Sequence, residues 1–194
     1  MGDTRVYLDV VKQITMPITG ETFDNLHKMT VKQDLDAESI QHLLPYKQHL
    51  TVLGEQIPKW LLNNIGNLNA LTLNLPEVEQ ISAYEAKQLA KFSGSTLKLN
   101  GLQSISKKEA KSLSEFPNNP LGSSIPYYSI EMKGLNDLNP STFVQLQGKV
   151  RLHVRISNFQ KEHLQGPIRN HNTLYGVSEI SLEQAKELNN FYDE

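Results

Sequence analysis

The sequence predicts an α/β fold in which about eight irregular strand–helix repeats stack as one right-handed solenoid. The first observation is a phrase that occurs three times, in 71–92 (LTLNLPEVEQISAYEAKQLAKF), 97–116 (LKLNGLQSISKKEAKSLSEF) and 174–191 (LYGVSEISLEQAKELNNF). The second is an apolar-x-apolar strand signal that recurs at intervals of 20 to 33 residues. Recurrence at this period is typical of solenoids, in which each repeat covers the apolar face of its neighbour.

Each repeat is expected to begin with a short strand. The strand signals start near residues 6, 29, 50, 71, 97, 130, 150 and 172, so the whole chain, 1–194, is predicted to form a single domain. Successive strand residues point to opposite faces of a sheet. The apolar members of each signal therefore face the core, and the intervening residues face outward on one parallel sheet. The longest interval contains an insertion loop at 117–128 (PNNPLGSSIPYY), which its prolines and Gly-Ser-Ser indicate.

A short helix is expected after each strand. Capping boxes, in which a hydroxyl and a carboxylate or amide three residues later satisfy backbone N–H groups, occur at Ser82/Glu85, Ser106/Glu109, Ser157/Gln160 and Ser181/Gln184. Behind three of these caps, apolar residues recur at helical spacing: Ala86, Leu89 and Phe92; Ala110, Leu113 and Phe116; Ala185, Leu188 and Phe191. Weaker helical patterns are those of Phe23 and Leu26; Ile40, Leu43 and Leu44; Trp60, Leu61, Leu62 and Ile65; and Phe143 and Leu146.

Two phrases, Leu68-x-x-Leu71-x-Leu73 and LKLNGLQSIS at 97–106, resemble the leucine-rich repeat family in a variant common in bacterial repeat proteins. The resemblance implies a parallel sheet on the concave side of the solenoid and short helices on the convex side. It also implies roles in cell-surface attachment or as host-directed effectors, with no residue to choose between them. Asn74 and Asn100 stand one place after the strand triplet, which is not the family's usual asparagine spacing, so a full asparagine ladder is not expected.

Composition excludes several classes of function. The chain has no cysteine, which excludes disulfides, thiolate catalysis and cysteine metal sites. A formal net charge of -2 argues against attraction of the whole protein to nucleic acid or anionic membranes. No apolar run approaches the roughly 20 residues that a membrane helix needs. The N-terminal stretch carries Asp3, Arg5, Asp9 and Lys12 and does not resemble a signal peptide, so the compartment is left open.

The candidate binding surface is the outward face of the later strands. In 149–156 (KVRLHVRI), strict alternation places the basic and titratable side chains on one face of the strand. With lysines on neighbouring strands they form a basic patch for a carboxylate or phosphate, and Glu131 is placed to neutralise part of it. The predicted partner-binding residues are Lys98, Asn100, Glu131, Lys133, Arg151, His153, Arg155 and Tyr175. The alternative is an ordinary solvated strand face.

Catalysis finds little support in the sequence. There is no nucleophile elbow, glycine-rich phosphate loop or zinc-protease histidine pair, and His27, His42 and His49 are expected on helices or loops. We therefore expect a non-enzymatic module that binds a protein partner, without metal or cofactor. Two alternatives are a binder of an anionic polymer, either nucleic acid or acidic polysaccharide, and an enzyme on a parallel β-solenoid, against which the capped helices argue. The repeats at the two ends lack long polar caps, so self-association through the ends is a further expectation.

Overall fold

A computed structural model describes residues 6–16, 26–116, 129–135, 140–146, 151–155 and 173–175 and shows a mixed α/β fold. Its strands form one sheet whose spatial order is the order of the chain, and every neighbouring pair is parallel. The strands are Val6–Val11 (β1), Leu26–Lys32 (β2), His49–Leu53 (β3), Thr72–Asn74 (β4), Thr96–Lys98 (β5), Ser129–Met132 (β6), Arg151–Arg155 (β7) and Thr173–Tyr175 (β8).

Short helices connect consecutive strands from β2 to β7. The described helices are Ala37–Leu43 (α1), Lys59–Asn64 (α2), Ala83–Leu89 (α3), Lys107–Leu113 (α4) and Pro140–Leu146 (α5), and a 3-10 turn at Ile65–Asn67 follows α2 directly. Parallel neighbours need such crossover connections because the chain must return to the same end of the sheet. The expected combination of a parallel sheet and short helices is therefore confirmed.

Side-chain caps fix where three of these helices begin. Ser82 and Ser106 each accept a hydrogen bond from the amide three residues later, and the carboxylates of Glu85 and Glu109 accept from the cap amides at 2.7 Å. Two of the four predicted capping boxes are thus confirmed, and those at Ser157/Gln160 and Ser181/Gln184 lie outside the described residues. At α1, Asp36 accepts from the Ser39 amide at 2.7 Å, and this backbone hydrogen bond lowers the pKa of Asp36. The caps satisfy donors that the first helical turn leaves without partners.

The helices form a layer over one face of the sheet. The consecutive helices α2, α3, α4 and α5 contact one another, and their buried side chains join those of the strands in one apolar cluster. The apolar Ala-Leu-Phe pattern is confirmed in two repeats, but Phe92 and Phe116 lie just after the helix ends and not on the helices. All six residues of the pattern are fully buried: Ala86, Leu89, Phe92, Ala110, Leu113 and Phe116. The rings of Phe92 and Phe116 stack with their centroids 6.3 Å apart. Each repeat therefore supplies part of the apolar surroundings of the next.

The strand register differs from the alignment that the repeated phrases suggest. That alignment places Leu71 opposite Leu97, whereas Leu73 is the register partner of Leu97 and Asn74 is the partner of Lys98. The physical reason is burial, because Leu73 and Leu75 are both buried in the core while Leu71 precedes the strand and is half-buried. As a consequence Asn74, and not Thr72, lies beside Lys98.

Two further expectations are corrected. Leu26 begins β2, so the helix expected over Phe23 and Leu26 does not include Leu26. His27 and His49 lie on β2 and β3 and not on helices or loops, whereas His42 lies on α1 as expected. The insertion loop at 117–128 and the helices expected near 157–164 and 181–191 lie outside the described residues.

Candidate functional site

One line of side chains crosses the sheet on the face opposite the helices. Consecutive register pairs connect Thr30, Thr51, Asn74, Lys98 and Glu131, and the same register continues to His153 and Thr173. We call these seven residues the polar row. Their sequence neighbours Leu50, Leu73, Leu97 and Ile130 are buried in the core. Because strand residues alternate between faces, the polar row from Thr30 to Glu131 belongs to the outer face of the sheet. His153 and Thr173 are placed in the row by the backbone register alone.

Side-chain hydrogen bonds join neighbouring strands along this outer face. Asn74 Nδ2 donates to Thr51 Oγ1 at 3.3 Å, which connects β4 to β3. Ser129 Oγ donates to Thr96 Oγ1 at 3.2 Å, which connects β6 to β5. Thr51 is buried despite its position on the outer face, because small side chains in a sheet are covered by their larger neighbours. These bonds hold polar groups in fixed positions, as a recognition surface requires.

Glu131 is the centre of the described part of the predicted patch. Its carboxylate lies 3.0 Å from Lys98 Nζ and 3.6 Å from Lys133 Nζ, and it accepts from Asn100 Nδ2 at 3.4 Å. Burial by itself raises the pKa of Glu131, but the hydrogen bonds and charges of Lys98, Asn100 and Lys133 outweigh it, so the pKa is lowered. The carboxylate therefore stays ionised at neutral pH. The cross-strand pairing expected for Glu131 is therefore observed with Lys98, and the basic patch as a whole stays a prediction.

The structure brings four of the eight predicted site residues into direct contact. Lys98, Asn100, Glu131 and Lys133 form one cluster, in which the Asn100 side chain also accepts from the Lys133 amide at 3.1 Å. The other four are placed by the backbone register alone: His153 pairs with Glu131, Arg151 with Ser129, and Arg155 with Tyr175. The side chains of β7 and β8 lie outside the description, so their part in the patch stays a prediction.

Sequence reasoning missed a pair of histidines on the same sheet. The rings of His27 and His49 contact each other edge to face, with centroids 4.6 Å apart and an angle of 68° between planes. A signal for this pair exists in the sequence, because residues 27 and 49 are separated by one repeat interval. It was not used because both residues were assigned to helices or loops.

A separate concavity lies beside the loops that follow β3 and β4. It has a volume of about 720 Å³ and is lined by Glu55, Gln56, Glu79, Gln80, Ile81, Ser82 and Glu85. Glu85 is held by its capping interaction with Ser82. In the part of the chain that the structure describes, no group of three histidine, aspartate or glutamate residues could hold a metal ion.

None of the described helices is long and apolar enough to cross a membrane. No protein-family model, curated protein or solved structure matches the chain.

Proposed function

We propose that the chain is a non-enzymatic protein-binding module, a leucine-rich-repeat-type solenoid that binds its partner on the outer face of the parallel sheet. The observation that carries the proposal is the polar row. It continues in register over successive strands, and Lys28, Lys32 and Lys133 beside it are exposed. Repeat proteins use extended sheet surfaces of this kind for binding.

The order of the elements supports a solenoid. Consecutive strands are also spatial neighbours, and from β2 to β7 each connection contains one helix. Helices of consecutive repeats contact one another, from α2 to α5. Every repeat therefore meets chiefly its two neighbours, which is the defining property of a solenoid. On this basis we assign the sheet to the concave side and the helices to the convex side.

The charge of the outer face favours an acidic region of a protein as the partner. Glu131 is the only acidic residue in the strands from β2 to β6, whereas Lys28, Lys32 and Lys98 lie on the same strands. These strands therefore carry more basic than acidic residues, although the chain as a whole has a formal charge of -2. Complementary charges guide association and select between partners.

The alternative ligand, nucleic acid or an acidic polysaccharide, would use the same basic residues. The position of Glu131 argues against it, because this carboxylate lies between Lys98 and Lys133 and repels a continuous line of negative charge. A protein surface that presents separate acidic and polar groups fits the mixture of lysine, carboxylate and amide better.

The proposal is tested by affinity capture with matched variants. We expect Arg151→Ala/Arg155→Ala to lose the protein partner that the wild-type chain captures, with at least a tenfold loss of affinity when the purified partner is titrated. The control, Lys87→Ala/Lys111→Ala, removes two exposed lysines from α3 and α4 and should bind like the wild type. Both variants should retain the circular-dichroism spectrum of the wild type.

A salt titration separates the two ligand classes. A protein that neutralises phosphates releases their counterions, so its affinity for a nucleic acid falls steeply with salt, with a logarithmic slope roughly proportional to the number of phosphates neutralised. We expect the affinity for the protein partner to depend only weakly on salt concentration. Equal binding of the protein partner by Arg151→Ala/Arg155→Ala and by Lys87→Ala/Lys111→Ala would contradict the proposed surface. Binding to a polyanion with a steep salt dependence would favour the alternative ligand.

A further inference from the structure

A β-bulge at the start of β2 places His27 at the edge of the outer face. Val6 is the register partner of Leu26, and Tyr7 is the partner of Lys28, so the register steps over His27. Along β2, Leu26 is buried, His27 is half-buried and Lys28 is exposed. Bulges re-aim side chains out of the regular alternation, and they are frequent near functional sites. Here the bulge brings the ring of His27 against that of His49.

The positions of the two histidines are set by the contact between their rings and by the backbone around them. Their ring centroids are 4.6 Å apart, and Lys28 is the register partner of His49. The buried hydroxyl of Tyr46 lies 3.4 Å from the carbonyl oxygen of Leu26 and 3.3 Å from that of His49. Because one hydroxyl reaches both strands, it fixes the first residues of β2 and β3 relative to each other.

The charged groups that act on His49 are all cationic. Burial lowers the pKa of His49, and the charges of His27, Lys98 and Lys28 lower it further. Of these groups, His27 and Lys28 lie on β2 and Lys98 lies on β5. On β4, the register partner of His49 is Thr72, which carries no charge. Lys98 already contacts Glu131. His49 is therefore neutral at neutral pH. A negative charge added beside it would favour its protonated form, because the neighbouring charges are all positive.

We propose that His27, Lys28 and His49 form a subsite of the outer face that binds an aspartate or glutamate side chain of an acidic protein partner together with a proton. The inference rests on the proposed function, because it specifies which chemical group the partner presents. The incoming carboxylate accepts hydrogen bonds from the Lys28 ammonium and from the protonated imidazole of His49. Its negative charge offsets the repulsion among the cations, so His49 takes up a proton as the complex forms.

The direction of the pH dependence follows from this linkage. Above about pH 7 the subsite binds the carboxylate through Lys28 alone, since His49 is neutral. As the pH falls towards about 5.5, protonation of His49 adds a charged donor while the partner's carboxylate is still ionised. Binding therefore tightens as the pH falls through this range.

The test uses a fluorescein-labelled polyglutamate peptide at low salt, with its affinity measured by anisotropy at about pH 8 and about pH 5.5. We expect the wild-type chain to bind about 3- to 10-fold more tightly at the lower pH. His49→Gln, which cannot be protonated, should lose most of this increase. His42→Gln is the matched control, because His42 lies on α1, and it should retain the increase.

A second measurement follows the protonation of His49 directly. In NMR titrations, the pKa of the His49 imidazole should rise when the peptide is added. The subsite would be overturned if His49→Gln kept the full increase in peptide affinity at the lower pH, or if the wild-type chain bound no peptide at either pH. Binding that is pH-independent but lost in Arg151→Ala/Arg155→Ala would reject the subsite and leave the proposed binding face intact. Peptide binding that is unchanged in His49→Gln and in Arg151→Ala/Arg155→Ala would count against both the subsite and the proposed binding face.

Discussion

Replacing Phe92 or Phe116 with alanine should destabilise the folded chain by about 3–5 kcal/mol in each case. Both rings are fully buried, and they stack with only 8° between their planes. Each ring follows a helix of a different repeat, Phe92 after α3 and Phe116 after α4. Truncation removes apolar contacts inside its own repeat and also the stacking contact with the neighbouring repeat, so a cavity opens where two repeats meet.

Urea denaturation followed by circular dichroism measures this effect. Tyr84→Ala is the control, because Tyr84 is 60% exposed and its truncation should change the free energy of unfolding by no more than about 0.5 kcal/mol. The double variant should lose about 0.5–1.5 kcal/mol less than the sum of the single variants, since the stacking contact is lost only once. Losses below about 1 kcal/mol for the single variants would contradict the described core.

Alanine at Gly101 or Gly134 should cost about 1–3 kcal/mol of stability at each position. A Cβ atom at Gly101 would meet the carbonyl oxygen of Pro76, and one at Gly134 would meet the carbonyl oxygen of Asn100. Both contacts are with the backbone of the preceding repeat, which cannot rotate away as a flexible side chain could. Glycine at these turns therefore allows consecutive repeats to approach closely.

Gly66→Ala is the matched control for this prediction. Gly66 lies in the 3-10 turn, where an added Cβ would have its nearest neighbour, the Lys91 carbonyl oxygen, at 3.9 Å. Its replacement should be neutral or stabilise by up to about 1 kcal/mol, because alanine reduces the entropy of the unfolded chain. Thermal denaturation of the three variants gives the comparison. Equal changes in melting temperature at Gly66 and Gly101 would show that the close approach between repeats is absent.

Local features of the fold could be predicted from the sequence because the interactions that create them are local. The hydroxyl of Ser82 and the carboxylate of Glu85 form their capping box within four residues, so the spacing alone indicated the helix start. The same holds for the apolar faces of α1, α2, α3 and α4. The cross-strand contact of Glu131 with Lys98 was also predicted, because alternation places both side chains on one face.

Long-range features could not be predicted in the same way. A shift of two residues keeps every side chain on its own face, so Leu71-x-Leu73 and Leu73-x-Leu75 are equally acceptable as strand signals. The choice depends on which leucines the neighbouring repeats bury, and that is a property of the assembled sheet. The spacing of one repeat interval between His27 and His49 indicates that they lie on neighbouring strands. The contact of their rings depends in addition on a bulge between β1 and β2, and the bulge itself leaves no local pattern in the sequence.

The central claim is that successive strands align so that the polar row forms one continuous surface. Since the chain has no cysteine, engineered pairs can report this alignment without background. Register partners in neighbouring strands lie about 5 Å apart, within the range of a disulfide, whereas pairs two residues out of register are farther apart. Oxidation rates of Asn74→Cys/Lys98→Cys and Thr72→Cys/Lys98→Cys, measured by non-reducing electrophoresis, give the most direct test. We predict rapid cross-linking of the first pair and slow cross-linking of the second; the reverse order would contradict the register on which the binding face depends.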